Sequence, residues 1–256
     1  MVRSFLRQFY LAVTDFRFYL EAFQQTWRRT LGFLIFLAVG VAGVVTALEA
    51  LRLFPELDAF GSWGKNHLPA FKVVDGRLSL ERTGPIFLQY GSNPGWIFFL
   101  SDSDVPETEL PIGAPAVLLL PEEIVIRYND TERAHSWVQV GDFTFTPSDF
   151  DGYLSYAKWF FVPVAYSFLL VFQVFAKLFT AILLTPVSLW TSVALGVRIP
   201  FRWGFNIAAY SLAPAVTIDL GVRMTRVEIT YFDWIYLGVA VLYTVMATRR
   251  CILPEG

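Results

Sequence analysis

The residues able to do chemistry in this chain are few and scattered. Its histidines are His67 and His135, and its single cysteine is Cys251. A zinc site needs several histidine, cysteine or carboxylate ligands at short spacings. Neither histidine stands in a His-x-x-x-His or Cys-x-x-Cys arrangement, so each reads as a surface or rim residue and no metal or other cofactor is expected. The acidic stretch Ser101-Asp102-Ser103-Asp104-Val105-Pro106-Glu107 alternates acids as a calcium loop does. It lacks the central glycine and the closing twelfth-position glutamate that such a loop requires, and reads as a solvated loop. Gly-x-Ser-x-Gly, phosphate-loop and dinucleotide patterns are absent. An enzyme is not expected.

What remains are polar residues inside apolar runs, where an ionisable group marks either a function or a paired contact. Lys177 is the only charge in Trp159–Val197, and Asp219 is the only charge in Trp203–Val222. In the second run Asn206, Tyr210, Ala213 and Thr217 follow one another at helical spacings of 4, 3 and 4. Pro214 removes the hydrogen bond that would reach the Tyr210 carbonyl. Two uses are open for Lys177, Asn206, Tyr210, Pro214, Thr217 and Asp219. They form a path for a proton or small solute, or they pack and cross-link helices. Lys177, Ala181, Ser188 and Ser192, with Thr180, Thr185 and Thr191 beside them, follow a rough stripe of the packing kind.

The elements holding these residues are membrane spans. Hydrophobic residues make up 55% of the 256 residues and charged residues 16%, where a soluble domain carries about 25% charged. Mean hydropathy is +0.50. Leu31–Leu48, Trp203–Val222 and Tyr231–Thr248 each reach spanning length. Trp159–Val197 exceeds it, at about 58 Å as a straight helix against roughly 30 Å of hydrocarbon. Thr185-Pro186 is the expected break, giving a span over Trp159–Leu184 and an arm, Val187–Val197, along the cytoplasmic interface. That arm is the first place expected to meet a partner.

The net charge of −2 hides an asymmetry. Residues 51–157 carry fifteen acidic and seven basic residues, a balance of −8, while the remainder carries seven acidic and thirteen basic, a balance of +6. No basic patch for nucleic acid is present, which excludes that partner class. Residues 1–30 form a cytoplasmic amphipathic segment, in which Phe5, Phe9, Val13, Phe16, Leu20, Phe23 and Trp27 make one apolar helical face. This face lies in the membrane interface or packs under the bundle. Thr14-Asp15 is able to cap and split the segment. Thr46-Ala47-Leu48-Glu49 is a poor cleavage site, so no removal after the first run is expected.

Five arginines precede the first transmembrane helix, residues 31–50, and the positive-inside rule puts the N-terminus in the cytoplasm. Ala38/Ala42 and Gly43/Ala47 suit close helix packing. Residues 51–157 are then extracytoplasmic and β-rich. A linker or helix around Phe54–His67 is followed by strands at Phe71–Val74, Arg77–Leu80, Pro85–Tyr90, Trp96–Leu100, Ala116–Leu120, Ile124–Tyr128 and Trp137–Thr146. Asp75-Gly76 signals a type I′ hairpin, and Pro121-Glu122-Glu123 and Asn129-Asp130 supply turns. Thr146-Pro147-Ser148-Asp149 opens a helix over Pro147–Lys158. Residues 158–256 form the membrane bundle with a short tail. With four spans the cytoplasmic side holds nine basic residues and the short outer loop Arg223 and Arg226. A fold-back near Lys177 gives five spans, with eight inside against four outside. Four fits the rule better, and it separates Lys177 from Asp219 in depth by more than about 10 Å.

Three stretches carry a family resemblance: Phe5-Leu6-Arg7-Gln8-Phe9-Tyr10, Leu68-Pro69-Ala70-Phe71-Lys72-Val73-Val74-Asp75-Gly76-Arg77-Leu78, and Phe201-Arg202-Trp203 running through Ala209-Tyr210-Ser211 to Pro214. In these, and in the order span, outside β domain, membrane half, the chain resembles uncharacterised bacterial polytopic membrane proteins filed as a domain of unknown function. Some of these are labelled maltodextrin-utilisation (YvdJ-like) proteins. The membrane half is similar to Yip-type bundles at the level of fold. The resemblance implies architecture and a place in the bacterial inner membrane, without a chemistry. The expected class is thus a membrane α-helical bundle of about four transmembrane helices with an inserted extracytoplasmic β-rich domain. Its expected partners are the lipid bilayer and another membrane protein or a second copy; no small-molecule ligand is specified. The role expected is a non-enzymatic accessory, scaffold or sensory component, with a small transporter or channel as the alternative.

Overall fold

The computed structural model describes all residues except 1, 82–83, 92–94, 103–114, 129–130, 226, 228 and 254–256. The acidic stretch from Ser103 to Glu107, the Asn129-Asp130 turn and Arg226 lie outside the described residues. Among the described residues four helices are long and apolar enough to cross a membrane: Trp27–His67, Pro147–Ala194, Phe201–Thr225 and Phe232–Ile252. The chain divides into two compact units, Met1–Leu51 with Phe161–Gly256, and Arg52–Phe160.

The first unit begins with α1 (Val2–Thr14), a 3-10 turn at Phe16–Phe18 and the short α2 (Tyr19–Ala22). Asp15 caps the turn, its Oδ1 accepting from the Arg17 backbone N–H at 2.8 Å. The cap has a consequence for packing, because helical phase is not carried across a break. The most deeply buried hydrophobic residues here are Ala12, Phe18, Tyr19 and Ala22. Leu20 is only partly buried and Trp27 is exposed, so one continuous apolar stripe does not form. Phe5, Phe9, Phe16 and Phe23 nonetheless pack against the bundle core, so the segment is a packed helix pair. The Tyr19 hydroxyl donates to the Ala12 carbonyl at 3.0 Å. Burial pushes that phenol well above its ordinary pKa, since an ionised oxygen there would lose its water.

The core continues through α3 (Trp27–His67), α5 (Pro147–Ala194), α6 (Phe201–Tyr210), α7 (Leu212–Thr225) and α8 (Phe232–Ile252). Ala38 and Ala42 of α3 are fully buried, as small packing residues should be. Gly40 faces open space.

The expected break at Thr185-Pro186 is absent: α5 continues through both Pro163 and Pro186 to Ala194. Ala181, Leu184, Thr185, Ser188 and Ser192 are all buried, so the stripe runs unbroken past the proline. The arm is therefore a packed part of the bundle. A proline forfeits one backbone bond, whereas a break would forfeit the packing of every residue beyond it. The ladder does part at Ser211, between α6 and α7, three residues before Pro214.

Among the described residues, the second unit contains the last turns of α3, eight strands, a short helical turn and the first turns of α5. One sheet is ordered β2-β1-β8, from β1 (Phe71–Val74), β2 (Arg77–Leu80) and β8 (Phe143–Phe145), all antiparallel. The other is β3-β4-β5-β6-β7, from β3 (Ile86–Tyr90), β4 (Trp96–Leu100), β5 (Ala116–Leu119), β6 (Glu123–Tyr128) and β7 (Thr131–Ser136). Its β4 and β5 are parallel and its other pairs antiparallel. Asp75 and Gly76 both take positive φ, 53° and 72°, as the type I′ turn demands.

The strand expected over Trp137–Thr146 forms only at its end. Ser136 caps a single helical turn, α4 (Trp137–Val140), closed by Gly141. Trp137 is buried and its Nε1 donates to the Leu120 carbonyl at 2.8 Å. The preceding polar stretch is the edge strand β7, exposed along nearly its whole length. An edge strand with two wet faces needs no apolar alternation, so hydrophobic pattern does not reveal it. Thr146 and Asp149 close the start of α5 reciprocally: Thr146 N–H and Oγ1 both donate to Asp149 Oδ2, at 3.1 and 2.6 Å, and the Asp149 N–H donates back to the Thr146 carbonyl at 2.9 Å. Gly61 and Gly64 of α3 let the α5 start come close. A Cβ on Gly64 would sit 2.3 Å from the Phe150 ring.

Candidate functional site

Two polar clusters form inside the membrane unit, and they divide the six residues singled out by sequence. The first is built on α6. Asn206 is fully buried, and both N–H donors and the oxygen of its amide are bonded. Its Nδ2 donates to the Phe23 and Gln25 carbonyls at 3.0 and 2.9 Å, and its Oδ1 accepts from Thr30 Oγ1 at 2.7 Å. One turn on, the buried Tyr210 hydroxyl donates to Gln25 Oε1 at 2.6 Å. Gln8 completes the group. With its amide oxygen toward Arg29 it accepts from Nη2 and Nε at 2.7 and 2.8 Å, and its nitrogen then faces the Tyr210 oxygen at 3.4 Å. Arg202 Nη2 adds a bond to the Gln25 carbonyl at 2.8 Å.

Thr217 does not join them. It is exposed and bonds only the Ala213 carbonyl behind it, at 2.9 Å. The counted face stays buried through Ala213, and exposure on α7 begins only at Thr217 and Ile218. Pro214 itself is buried in α7.

The second cluster joins α5, α7 and α8. Lys177 is 6% exposed, and its Nζ donates to the Tyr236 hydroxyl at 3.0 Å. Asp219, 7% exposed, pairs through Oδ1 with Arg223 Nε at 2.9 Å on the next turn. Lys177 lies within the electrostatic range of both Asp219 and Arg223. The depth separation expected for a four-span chain is therefore not found. The unbroken α5 explains the difference. Lys177 stands about 26 Å before the end of α5 at Ala194, and Asp219 about 27 Å after the start of α6 at Phe201. Counted from their common turn the two reach the same level.

Tyr236, Gln8, Gln25, Thr30 and Arg29 were not found by sequence reasoning. Tyr236 carries no charge in an aromatic-rich run. The polar Gln24-Gln25-Thr26 step between two apolar elements is the one local signal for the first cluster. His67 and His135 take no part: His67 stacks on Trp63, with Nδ1 2.8 Å from the Trp63 carbonyl, and His135 lies exposed on β7. Among the described residues no group of three or more His, Cys, Asp or Glu is placed to hold a metal.

One protein-family profile, described as "Protein of unknown function (DUF1189)", matches residues 6–248. No curated protein and no solved structure matches the chain.

Proposed function

The chain belongs to the DUF1189 family, and we propose that this member is a multi-pass protein of the bacterial cytoplasmic membrane. It acts there as a non-enzymatic accessory, scaffold or sensory component through protein contacts. In this reading the N-terminus is cytoplasmic and the two-sheet unit faces outward, which satisfies the positive-inside rule. The finer likenesses, to the maltodextrin-utilisation (YvdJ-like) members and to Yip-type bundles, belong with this proposal and bear only on architecture and location.

The observation that supports it is the use made of Asn206. A fully buried amide commits both its N–H donors and its oxygen to Phe23, Gln25 and Thr30, fastening the N-terminal segment to α6. A conduit needs polar groups free to exchange partners; these are committed to holding the fold. The outward unit then offers the partner surface, with the exposed β7 at its sheet edge. Purification of the full chain from mild detergent is expected to return a stoichiometric partner or a second copy, cross-linked through residues 131–136. Repeated recovery of the chain alone would count heavily against the proposal.

A second reading rests on the Lys177, Tyr236, Asp219 and Arg223 cluster, because ionisable groups inside spans often line transport paths. It makes the chain a small transporter or channel. Reconstituted vesicles should then show flux that Lys177→Ala and Asp219→Ala both abolish; absence of flux, or flux unchanged in the variants, removes it.

A further inference from the structure

The outer edge of β7 is a row of backbone groups whose direction follows from the ladder beside it. Trp137 N–H donates to the Glu122 carbonyl at 3.1 Å. That bond continues the β6–β7 register, in which Ile124 meets His135, Ile126 meets Arg133 and Tyr128 meets Thr131. Bonded and unbonded pairs alternate along an antiparallel ladder. Thr131, Arg133 and His135 therefore turn their N–H and C=O groups to β6, and Glu132, Ala134 and Ser136 turn theirs away from it. The other side of β6 gives the same phase: Leu120 N–H donates to the Glu123 carbonyl at 2.9 Å, so Glu123, Val125 and Arg127 face β5. Among the described residues β7 ends its sheet, and Thr131 to His135 are exposed.

Charged side chains commonly protect such an edge from pairing. Here that protection is partial. Glu132 is already paired with Arg127 of β6, and Ala134, in the middle of the outward row, brings neither charge nor bulk.

Symmetry then sets which strand fits the row. Two copies of β7 running antiparallel about a two-fold axis place residues of the same face opposite each other. With the axis at Arg133, two guanidinium groups stand directly opposite in the closer kind of pair, about 4.5 Å between Cα atoms, and like charges so placed are destabilising. With the axis at His135, Ala134 must exchange bonds with Ser136 of the copy, whose carbonyl already serves α4 as its N-cap. With the axis at Ala134, the two Ala134 residues exchange both backbone bonds, and each Ser136 N–H meets the Glu132 carbonyl of the copy. No two identical charges are then opposed. We infer that the outer edge of β7 binds a second copy of this chain, the two strands antiparallel about a two-fold axis at Ala134. The inference rests on the reading of a membrane protein that acts through protein contacts, and it names the contact. Two chains in one bilayer already share an orientation, which lowers the rotational cost that so short a pair of strands must offset.

The test is disulfide trapping of the full chain in its own membranes, in a Cys251→Ser background. In the Ala134→Cys variant the two Cα atoms at the axis stand about 5.5 Å apart, inside the roughly 4.4–6.8 Å that a disulfide spans. In Arg133→Cys the two are offset along the strands and about 8 Å apart, outside that range. Mild oxidation should give a band at twice the chain mass for Ala134→Cys and none for Arg133→Cys. Ala134→Pro removes an outward N–H that β6 does not use, a position where an edge strand accepts proline. In reconstituted vesicles, with chains counted by photobleaching of a fluorescent tag, it should weaken pairing at least about tenfold. Should the proline disturb folding, Ala134→Glu sets two carboxylates at the axis from an exposed position and should likewise leave single chains. Equal trapping of both cysteine variants, trapping of Ala134→Cys to a protein of different mass, or dimers unchanged by Ala134→Pro and Ala134→Glu overturn the inference. Those outcomes leave the broader reading standing. Single chains throughout, with nothing co-purified, overturn the inference and count against that reading as well.

Discussion

Replacing Asn206 by alanine tests whether the polar groups of the membrane unit are structural fastenings. The substitution removes three hydrogen bonds at once, to the Phe23 carbonyl, the Gln25 carbonyl and the Thr30 hydroxyl. They are not equally costly to lose. The Gln25 carbonyl keeps the Arg202 donor at 2.8 Å, and the Thr30 hydroxyl turns its one proton to the Thr26 carbonyl 3.5 Å away. The Phe23 carbonyl loses its Asn206 donor. A buried group stripped of a partner costs about 1–3 kcal/mol, and an ordinary bond about 0.5–1.5 kcal/mol. The sum, tempered by the two groups that keep partners, is about 2–4 kcal/mol. This loss falls on the attachment of the N-terminal segment, so opening of that segment should become at least about 30-fold more frequent, at 1.4 kcal/mol per tenfold. Limited trypsin digestion at Arg17 and Arg28 reads that opening directly when cleavage is slow relative to closing. Thr217→Ala is the matched control, because that hydroxyl is exposed and bonds only its own helix. Cleavage rates and unfolding midpoints indistinguishable between the two variants would refute the assignment of Asn206 as a fastening.

Other outcomes follow from the outer unit and from topology. Gly64→Ala would drive a Cβ to 2.3 Å from the Phe150 ring, an overpacking expected to lower stability by about 1–3 kcal/mol. Gly152→Ala, with nothing within 4 Å, should be neutral or stabilise by up to about 1 kcal/mol through helix propensity; thermal unfolding of both variants decides whether close approach matters. Trp137→Phe keeps the buried ring but loses the donor to the Leu120 carbonyl, and a drop of about 1–2 kcal/mol is expected, measurable in denaturant titrations. A C-terminal reporter active only in the cytoplasm should give signal in the four-span arrangement; signal solely from a periplasm-specific reporter would exclude it.

Local chemistry made much of the second unit legible. Asp75-Gly76 specified its hairpin because a type I′ turn admits few other pairs, and Thr146 to Asp149 specified the start of α5 through a reciprocal cap. The strand Thr131–Ser136 was hidden because it lies at a wet edge. Trp137 opens a single helical turn capped by Ser136, its indole reaching a carbonyl seventeen residues away. In the membrane unit, hydropathy and spacing identified Lys177, Asn206, Tyr210 and Asp219, yet not their partners. Those partners sit far along the chain: Gln25 for Tyr210 and Tyr236 for Lys177.

The amino-acid sequence by itself determined that this chain carries four apolar helices and a separate β-rich insertion. Burying apolar surface and satisfying backbone groups are local demands, visible in periodicity and turn residues. Only the tertiary structure decided which polar groups meet. Pro186 leaves α5 continuous because packing beyond it outweighs one lost backbone bond, and that continuity brings Lys177 level with Asp219. Along α6 and α7 Asn206, Tyr210 and Ala213 stay in, while Thr217, on the same counted face, stands exposed. Hydrogen bonds act over about 3 Å, so whether a polar side chain fastens or stands free is set by neighbours that sequence spacing cannot place.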